Sequence, residues 1–247
     1  MIDDYRLYRL NFRERTIYIL QGLAAISIIG FLFYSSLLSV LPLSPLLIIY
    51  IKRKKQQLIK KRKWQLNLEF RDGILSLSSA LNAGYSIEKA FDEALAELKH
   101  LYGNRGLIVK EFIYLANQIK LNITVEKALI DFGQRTDIED IINFAQVFIT
   151  AKRTGGDLMK IIKATCETIS DKIEVKREIL TLTSAKRLEA NIMKIVPIGI
   201  LVYMRLFSPG YLDILYHNVI GVIIMTILLL LYLTALIITD KIVDIEI

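Results

Sequence analysis

Apolar residues recur along the middle of the chain at helical spacing. Leu66, Phe70, Ile74, Leu77 and Leu81 step by 4, 4, 3 and 4. Ile87, Phe91, Ala94 and Leu98 step by 4, 3 and 4, and Ile108, Phe112, Leu115 and Ile119 do the same. Val125, Leu129 and Phe132 mark a shorter helix, and Ile138, Ile141, Ala145 and Phe148 a fifth. Ile162, Cys166, Ile169 and Ile173 carry the seam of a sixth. Each is a one-sided stripe, the pattern of helices packed into a bundle, and no stretch alternates with period two for long enough to make a strand. The pattern predicts an all-α membrane protein, with a helical bundle of about six helices and about four transmembrane helices.

The breaks between stripes agree. Ala83-Gly84-Tyr85-Ser86 ends one helix and starts the next, with Ser86 as N-cap, and Asn122-Ile123-Thr124 repeats the device with Thr124 as N-cap. Gly103-Asn104-Arg105-Gly106 reads as a loop, and Asp137 as the cap of the fifth helix. Ser86-Ile87-Glu88-Lys89-Ala90-Phe91 and Thr124-Val125-Glu126-Lys127-Ala128-Leu129 are near copies. Shared helix-start chemistry explains the likeness, as would a structural echo between successive hairpins. Gly155, Gly156 and Asp157 form the corner before the sixth helix, with Asp157 as its cap. From there to Phe207 the only strong break is Pro197, so the pattern predicts a helix of ~50 residues, ~75 Å long, kinked inside a membrane span.

The flanks are different. Residues 16–51 are 36 residues without a charge, where one span needs about 20. Tyr34-Ser35-Ser36 and Pro42-Leu43-Ser44-Pro45 are turn signals within the run. It reads as a hairpin of two short spans, 16–34 and 37–51, or as one long span with an interfacial segment; basic residues at both ends suit the hairpin. Residues 190–208 and 218–239 are further spans, joined by a short external loop, 209–217. Lys194 and Arg205 bracket the first of these and can extend toward opposite interfaces. Small residues Ser184, Ala185 and Ala190 precede it and would admit a close helix neighbour.

Charge fixes the orientation. Residues 52–63 hold eight basic residues and no acid: Lys52, Arg53, Lys54, Lys55, Lys60, Lys61, Arg62 and Lys63. Residues 64–189 hold 17 basic and 18 acidic residues, so the net +7 is juxtamembrane and not a nucleic-acid face. The basic segment is a topology signal and a contact for anionic lipid head groups, or a docking face for an acidic partner. With Arg6, Arg9, Arg13 and Arg15 in the 1–15 segment, the positive-inside pattern places 1–15, 52–189 and the 240–247 tail in the cytoplasm of a multi-pass inner (plasma) membrane protein.

Catalytic chemistry is missing from the pattern. No phosphate-loop lysine follows Gly103 or Gly106, no Asp or Glu lies inside a span, and His100 and His217 fall on opposite sides of the membrane. One cysteine and two histidines give no metal spacing. No catalytic, cofactor or metal site is expected.

These motifs, in this order, resemble the F-type inner-membrane platform proteins of type II secretion and type IV pili, and most closely the shorter Tad-type branch (TadB and TadC). The residues that carry the resemblance are Ala83-Gly84-Tyr85-Ser86-Ile87 with Ala90, and Leu121 to Thr124 with Ala128-Leu129. Thr154-Gly155-Gly156-Asp157-Leu158 and the last pair of spans with Pro197 complete it. Asn122 stands where the family usually has glycine, and Lys186 where a small residue is common. The resemblance implies a non-catalytic scaffold over a hexameric secretion ATPase. It also implies partnership with a second platform protein or further copies of itself, with pilin-like subunits and with lipid. A small transporter or channel component is the alternative from another class. If the corner at Gly155 and Gly156 transmits displacement, Gly155→Val with Gly156→Val abolishes pilus assembly while membrane insertion persists, read by piliation and membrane fractionation.

Overall fold

The structure, a computed structural model, describes residues 4–8, 10–36, 40–154, 158–208, 210–216 and 218–243. Among them there is no strand. The helices are α1 (Phe12–Tyr34), α2 (Val40–Asn82), α3 (Ile87–Tyr102), α4 (Leu107–Lys120) and α5 (Val125–Thr136), followed by α6 (Glu139–Thr154), α7 (Leu158–Leu182), α8 (Ser184–Phe207), α9 (Asp213–Tyr216) and α10 (Val219–Val243). They form two compact units. Unit 1 is Met1–Arg9 with Lys55–Val175, and unit 2 is Leu10–Lys54 with Lys176–Ile247. The chain passes from one to the other within α2 and within α7.

Unit 1 is the bundle. Six helices contribute to it, and the stripes read from sequence are its core: Leu66, Ile74, Leu98, Ile108, Phe132, Ile141 and Phe148 have no measurable exposure. Phe70 packs edge-on to Phe132 and Phe144, with centroids 5.9 and 5.6 Å away. One core residue comes from outside the pattern. Tyr5 is 2% exposed, its N–H donates to the Arg135 carbonyl at 3.2 Å, and the Arg62 guanidinium lies 4.5 Å over its ring. The N-terminal segment is thus folded into the bundle.

Unit 2 gathers the apolar helices. α1 opens with a capping box, in which Asn11 accepts from Phe12 N–H at 2.8 Å and Glu14 accepts from Asn11 N–H at 3.0 Å. It ends at Ser35, which takes a left-handed φ of 50°. The start of α2 returns along it: Leu43 shares a core with Ile26, Phe33, Met225 and Leu229, and Lys54 reaches the Tyr18 ring at 5.8 Å. Among the described residues three helices are long and apolar enough to cross a membrane, Phe12–Tyr34, Ser184–Phe207 and Val219–Ile242. The segment expected as a second span, 37–51, falls partly outside the described residues and partly in the first turns of α2. Pro42 and Pro45 lie inside that helix and do not form a turn. Pro42 sits in the first turn, where a missing N–H costs nothing.

Two other expectations are corrected. The long helix from 158 is divided at Thr183, between α7 and α8. Hydroxyls compete there for carbonyls: Thr183 Oγ1 donates to Ile179 O at 2.8 Å and Ser184 Oγ to Thr181 O at 2.6 Å, a pattern that loosens and bends helices. α8 itself runs through Pro197. Asp137 does not cap the fifth bundle helix. It ends α5 in a left-handed conformation, φ 51°, and α6 begins at Glu139. Removing the central ring with Phe70→Ala should destabilise unit 1 by about 3–5 kcal/mol. In the full chain in detergent, the denaturant midpoint for labelling of the single buried thiol, Cys166, measures this.

Candidate functional site

The eight basic residues of 52–63, within α2, do not form one free face. In unit 2, Arg53 pairs with Asp240 at 3.3 Å and Lys54 covers Tyr18. In unit 1, Arg62 covers Tyr5, and Lys63 Nζ donates to the Asp137 carbonyl at 2.9 Å and its carboxylate at 2.7 Å. Lys52, Lys60 and Lys61 are exposed, and Lys55 is half-buried. The division was invisible in the sequence because the partners lie far away: Asp137 is 74 positions from Lys63 and Asp240 is 187 from Arg53.

Two of the three turns lie within the described residues. Gly84 has φ 87° and Asn122 φ 62°. In both, the next N–H reaches back to the last helical turn, Tyr85 to Ala80 O at 3.3 Å and Ile123 to Gln118 O at 3.0 Å. Asparagine therefore reproduces the glycine turn, since its short side chain tolerates the left-handed region. Ser86 Oγ accepts from Lys89 N–H at 3.4 Å. Thr124 takes the N-cap conformation, but no hydrogen bond to its side chain caps the helix. Gly103–Arg105 is a 3-10 turn. Gly155, Gly156 and Asp157 lie outside the described residues. Ion pairs tie the helix ends at this side of unit 1, Lys120 with Asp92 at 3.3 Å and Lys152 with Glu126 at 2.8 Å. The Lys152 hydrogen bond holds Glu126 below the usual carboxylate range.

Sequence reasoning passed over the buried polar groups. Glu69, on α2 and 4% exposed, accepts the Ile108 N–H at 2.9 Å. Gly106 has no side chain to cap α4, so α2 supplies the cap from outside that helix. Asp72 accepts from Arg71 at 2.7 Å and from the Tyr102 hydroxyl. Burial and then that bond push the Tyr102 pKa up. Glu111 and Asp131 both hold Arg135, each at 2.8 Å. Asp140 accepts from Asn67 on α2 and from Lys172 on α7, both at 2.7 Å. The signal available in the sequence was the acid at a stripe-facing position, Glu69 beside Phe70 above all. Glu69, Asp72, Glu111 and Asp140 each join one helix to another, whereas Asp131 pairs with Arg135 within α5. Cys166 is buried, donates to Ile74 O at 3.4 Å, and burial with the nearby Glu167 pushes its thiol up to about 12. Among the described residues no three His, Cys, Asp or Glu side chains are grouped to hold a metal.

Within unit 2 two cations of α8, Lys194 and Arg205, are anchored to neighbouring helices. Lys194 donates to Asp240 of α10, and Tyr232 donates to the Lys194 carbonyl at 2.6 Å. At the other end Arg205 donates to Phe31 O at 2.8 Å and Ser35 Oγ at 2.9 Å, satisfying the C-terminus of α1 with a positive charge. Tyr216 donates to Leu32 O at 2.6 Å beside it.

The family model described as type II secretion system (T2SS), protein F matches residues 74–205, just over half of the chain. The matched stretch takes in α3 to α7 and nearly all of α8. No curated protein and no solved structure matches the chain.

The Lys63 hydrogen bond, opposed by slight burial, lowers the Asp137 pKa. A depressed folded pKa gives stability that is present above the unfolded value, about 4, and lost as pH falls through the folded one. Asp137 is half exposed, so the expected effect is under about 1 kcal/mol. Asp137→Asn should lower unit 1 stability by that amount at pH 7 and remove its share of the loss below pH 4, measured by Cys166 protection against pH.

Proposed function

Because the chain belongs to the type II secretion system protein F family, we propose that it is a non-catalytic inner-membrane platform of a Tad-type pilus or type II secretion-like machine. It couples a hexameric cytoplasmic secretion ATPase to the assembly of pilin-like subunits, beside a second platform protein or further copies of itself. The observation that supports this best is the reach of the family match. It runs from bundle helices into a membrane-capable helix, α8, across a single non-helical residue. The buried carboxylates Glu69, Glu111 and Asp140 also support it, since each braces one helix against another, as a scaffold requires.

Topology is supported by a parity argument. Tyr5 and Lys55–Val175 belong to one folded unit, so residues 10–54 leave it and return. α1 is long enough to cross a bilayer of about 30 Å, and a single crossing would strand Tyr5 on the wrong side. The start of α2 therefore makes the return crossing, short as it is, with Lys52 and Lys54 extending their stems to the interface. With α8 and α10 this gives four crossings, unit 1 and both termini in the cytoplasm. Lys194 and Arg205 each hold a neighbouring helix, so they give the transporter reading no support.

The exposed lysines divide structural from docking roles. Lys61→Glu should cut co-purification of the ATPase from membranes about tenfold, the loss of about 1.4 kcal/mol, with Cys166 protection unchanged. If the ATPase binds equally well to a chain lacking 55–175, the platform reading fails.

A further inference from the structure

Within unit 1, two buried polar atoms on α2 and α7 have no hydrogen-bond partner, Asn67 Oδ1 and Ser170 Oγ. Such groups are costly to bury and rare in a settled interior. Ser170 is also out of step with its own helix. Thr165, Thr168 and Thr181 each donate to the carbonyl four residues back, at 2.8 to 2.9 Å, and Ser170 does not. Turning the Asn67 amide over is no remedy, because its Nδ2 is needed where it stands, 2.7 Å from Asp140 Oδ2.

Two contacts set the register between α2 and α7. Cys166 donates to Ile74 O at 3.4 Å, and Lys172 meets Asn67 on the Asp140 carboxylate. Positions rise along α7 as they fall along α2, so the two helices run antiparallel. Ser170 follows Cys166 by one turn and Asn67 precedes Ile74 by two, which puts both on the faces that meet. Four residues on from Cys166, Ser170 is level with Phe70. The two orphan atoms therefore sit on facing surfaces but out of register by about three residues, ~5 Å at a rise of ~1.5 Å each.

A displacement of α7 by about one turn toward its own C-terminus cancels that offset. Ser170 Oγ then donates to Asn67 Oδ1, and both atoms are satisfied. The apolar seam accepts the step because it repeats: Ile162 takes the place of Cys166, Cys166 that of Ile169, and Ile169 that of Ile173, all four of them buried. Asp140 accepts it too. Thr168 stands four residues before Lys172 and brings a hydroxyl to the carboxylate, while the Asn67 bond from α2 to α6 is untouched. The observed register thus has the ion pair and two orphan atoms. The displaced one gives up the ion pair and satisfies both atoms. Packed interfaces switch between such discrete arrangements and do not deform continuously.

We infer that α7 has two registers on α2, the observed one and a second about one turn further on, and that Asn67 and Ser170 are partners in the second. α7 continues beyond unit 1, so the step is delivered along the chain toward α8. It is a property of unit 1 and does not rest on the platform reading, although it supplies that reading with a stroke.

Nitroxide labels on Lys61→Cys and Lys163→Cys test this by double electron–electron resonance on the full chain in nanodiscs. Both positions are exposed and belong to unit 1, and Cys166 is buried and stays unlabelled. The labels lie far apart along the axis of α2, so the step brings them closer. Lys172→Met, which withdraws the ion pair from the observed register, should bring up a second distance about 5 Å shorter. Adding Ser170→Ala should lower that population about tenfold, equivalent to about 1.4 kcal/mol. One distance in every variant, as a water-filled gap would give, overturns the inference. So does a second distance that is longer, or one that ignores Ser170→Ala. The readout needs neither the ATPase nor pilins, so its failure leaves the platform reading to its own assay.

Discussion

A carboxylate taken out of water must find partners, and Asp140 finds them on two helices at once. It lies at the start of α6, 6% exposed, and binds Asn67 of α2 and Lys172 of α7. Those are the two helices that continue from unit 1 into unit 2. Removing one partner of such a group leaves buried charge uncompensated, which costs far more than the bond itself contributes. The two helices are therefore locked at one level in the observed register. Lys63 on Asp137 and Glu69 on the start of α4 add further bonds from α2 to the same end of the bundle.

The membrane unit follows the same logic with fewer groups. Lys194 and Arg205 would be expensive in lipid. Each instead closes a helix–helix contact, one on Asp240 and one on the Phe31 carbonyl and Ser35 hydroxyl at the end of α1. Charge on α8 thus chooses which of its faces turns inward. The remaining faces are left for lipid. Glu69, Glu111 and Asp140 in unit 1, and Lys194 and Arg205 in unit 2, are each spent on a joint between helices.

Much of this was legible in one sequence. The stripes of unit 1 named its core because a helix repeats every 3.6 residues and a buried face must be apolar along its length. Gly84 and Asn122 named their turns because few residues accept a positive φ. Asp137 was misread for a related reason. Aspartate suits both a helix start and a left-handed helix end, and Lys63, far off in sequence, settled it as an end. Thr183 was missed because threonine is a tolerable helix residue. Only its neighbours Thr181 and Ser184 together crowd the carbonyls enough to interrupt the helix.

What the sequence determined by itself is therefore what depends on near neighbours: helical class, stripe faces, turn residues, and the charge bias across a bilayer. What only the tertiary structure decided is which polar groups meet. Tyr5 enters the bundle, half of the basic run is consumed by Tyr5, Asp137, Tyr18 and Asp240, and the acids of α2 become caps and clasps for other helices. Periodicity is a local property of the chain, whereas the pairing of two charges depends on how distant segments pack.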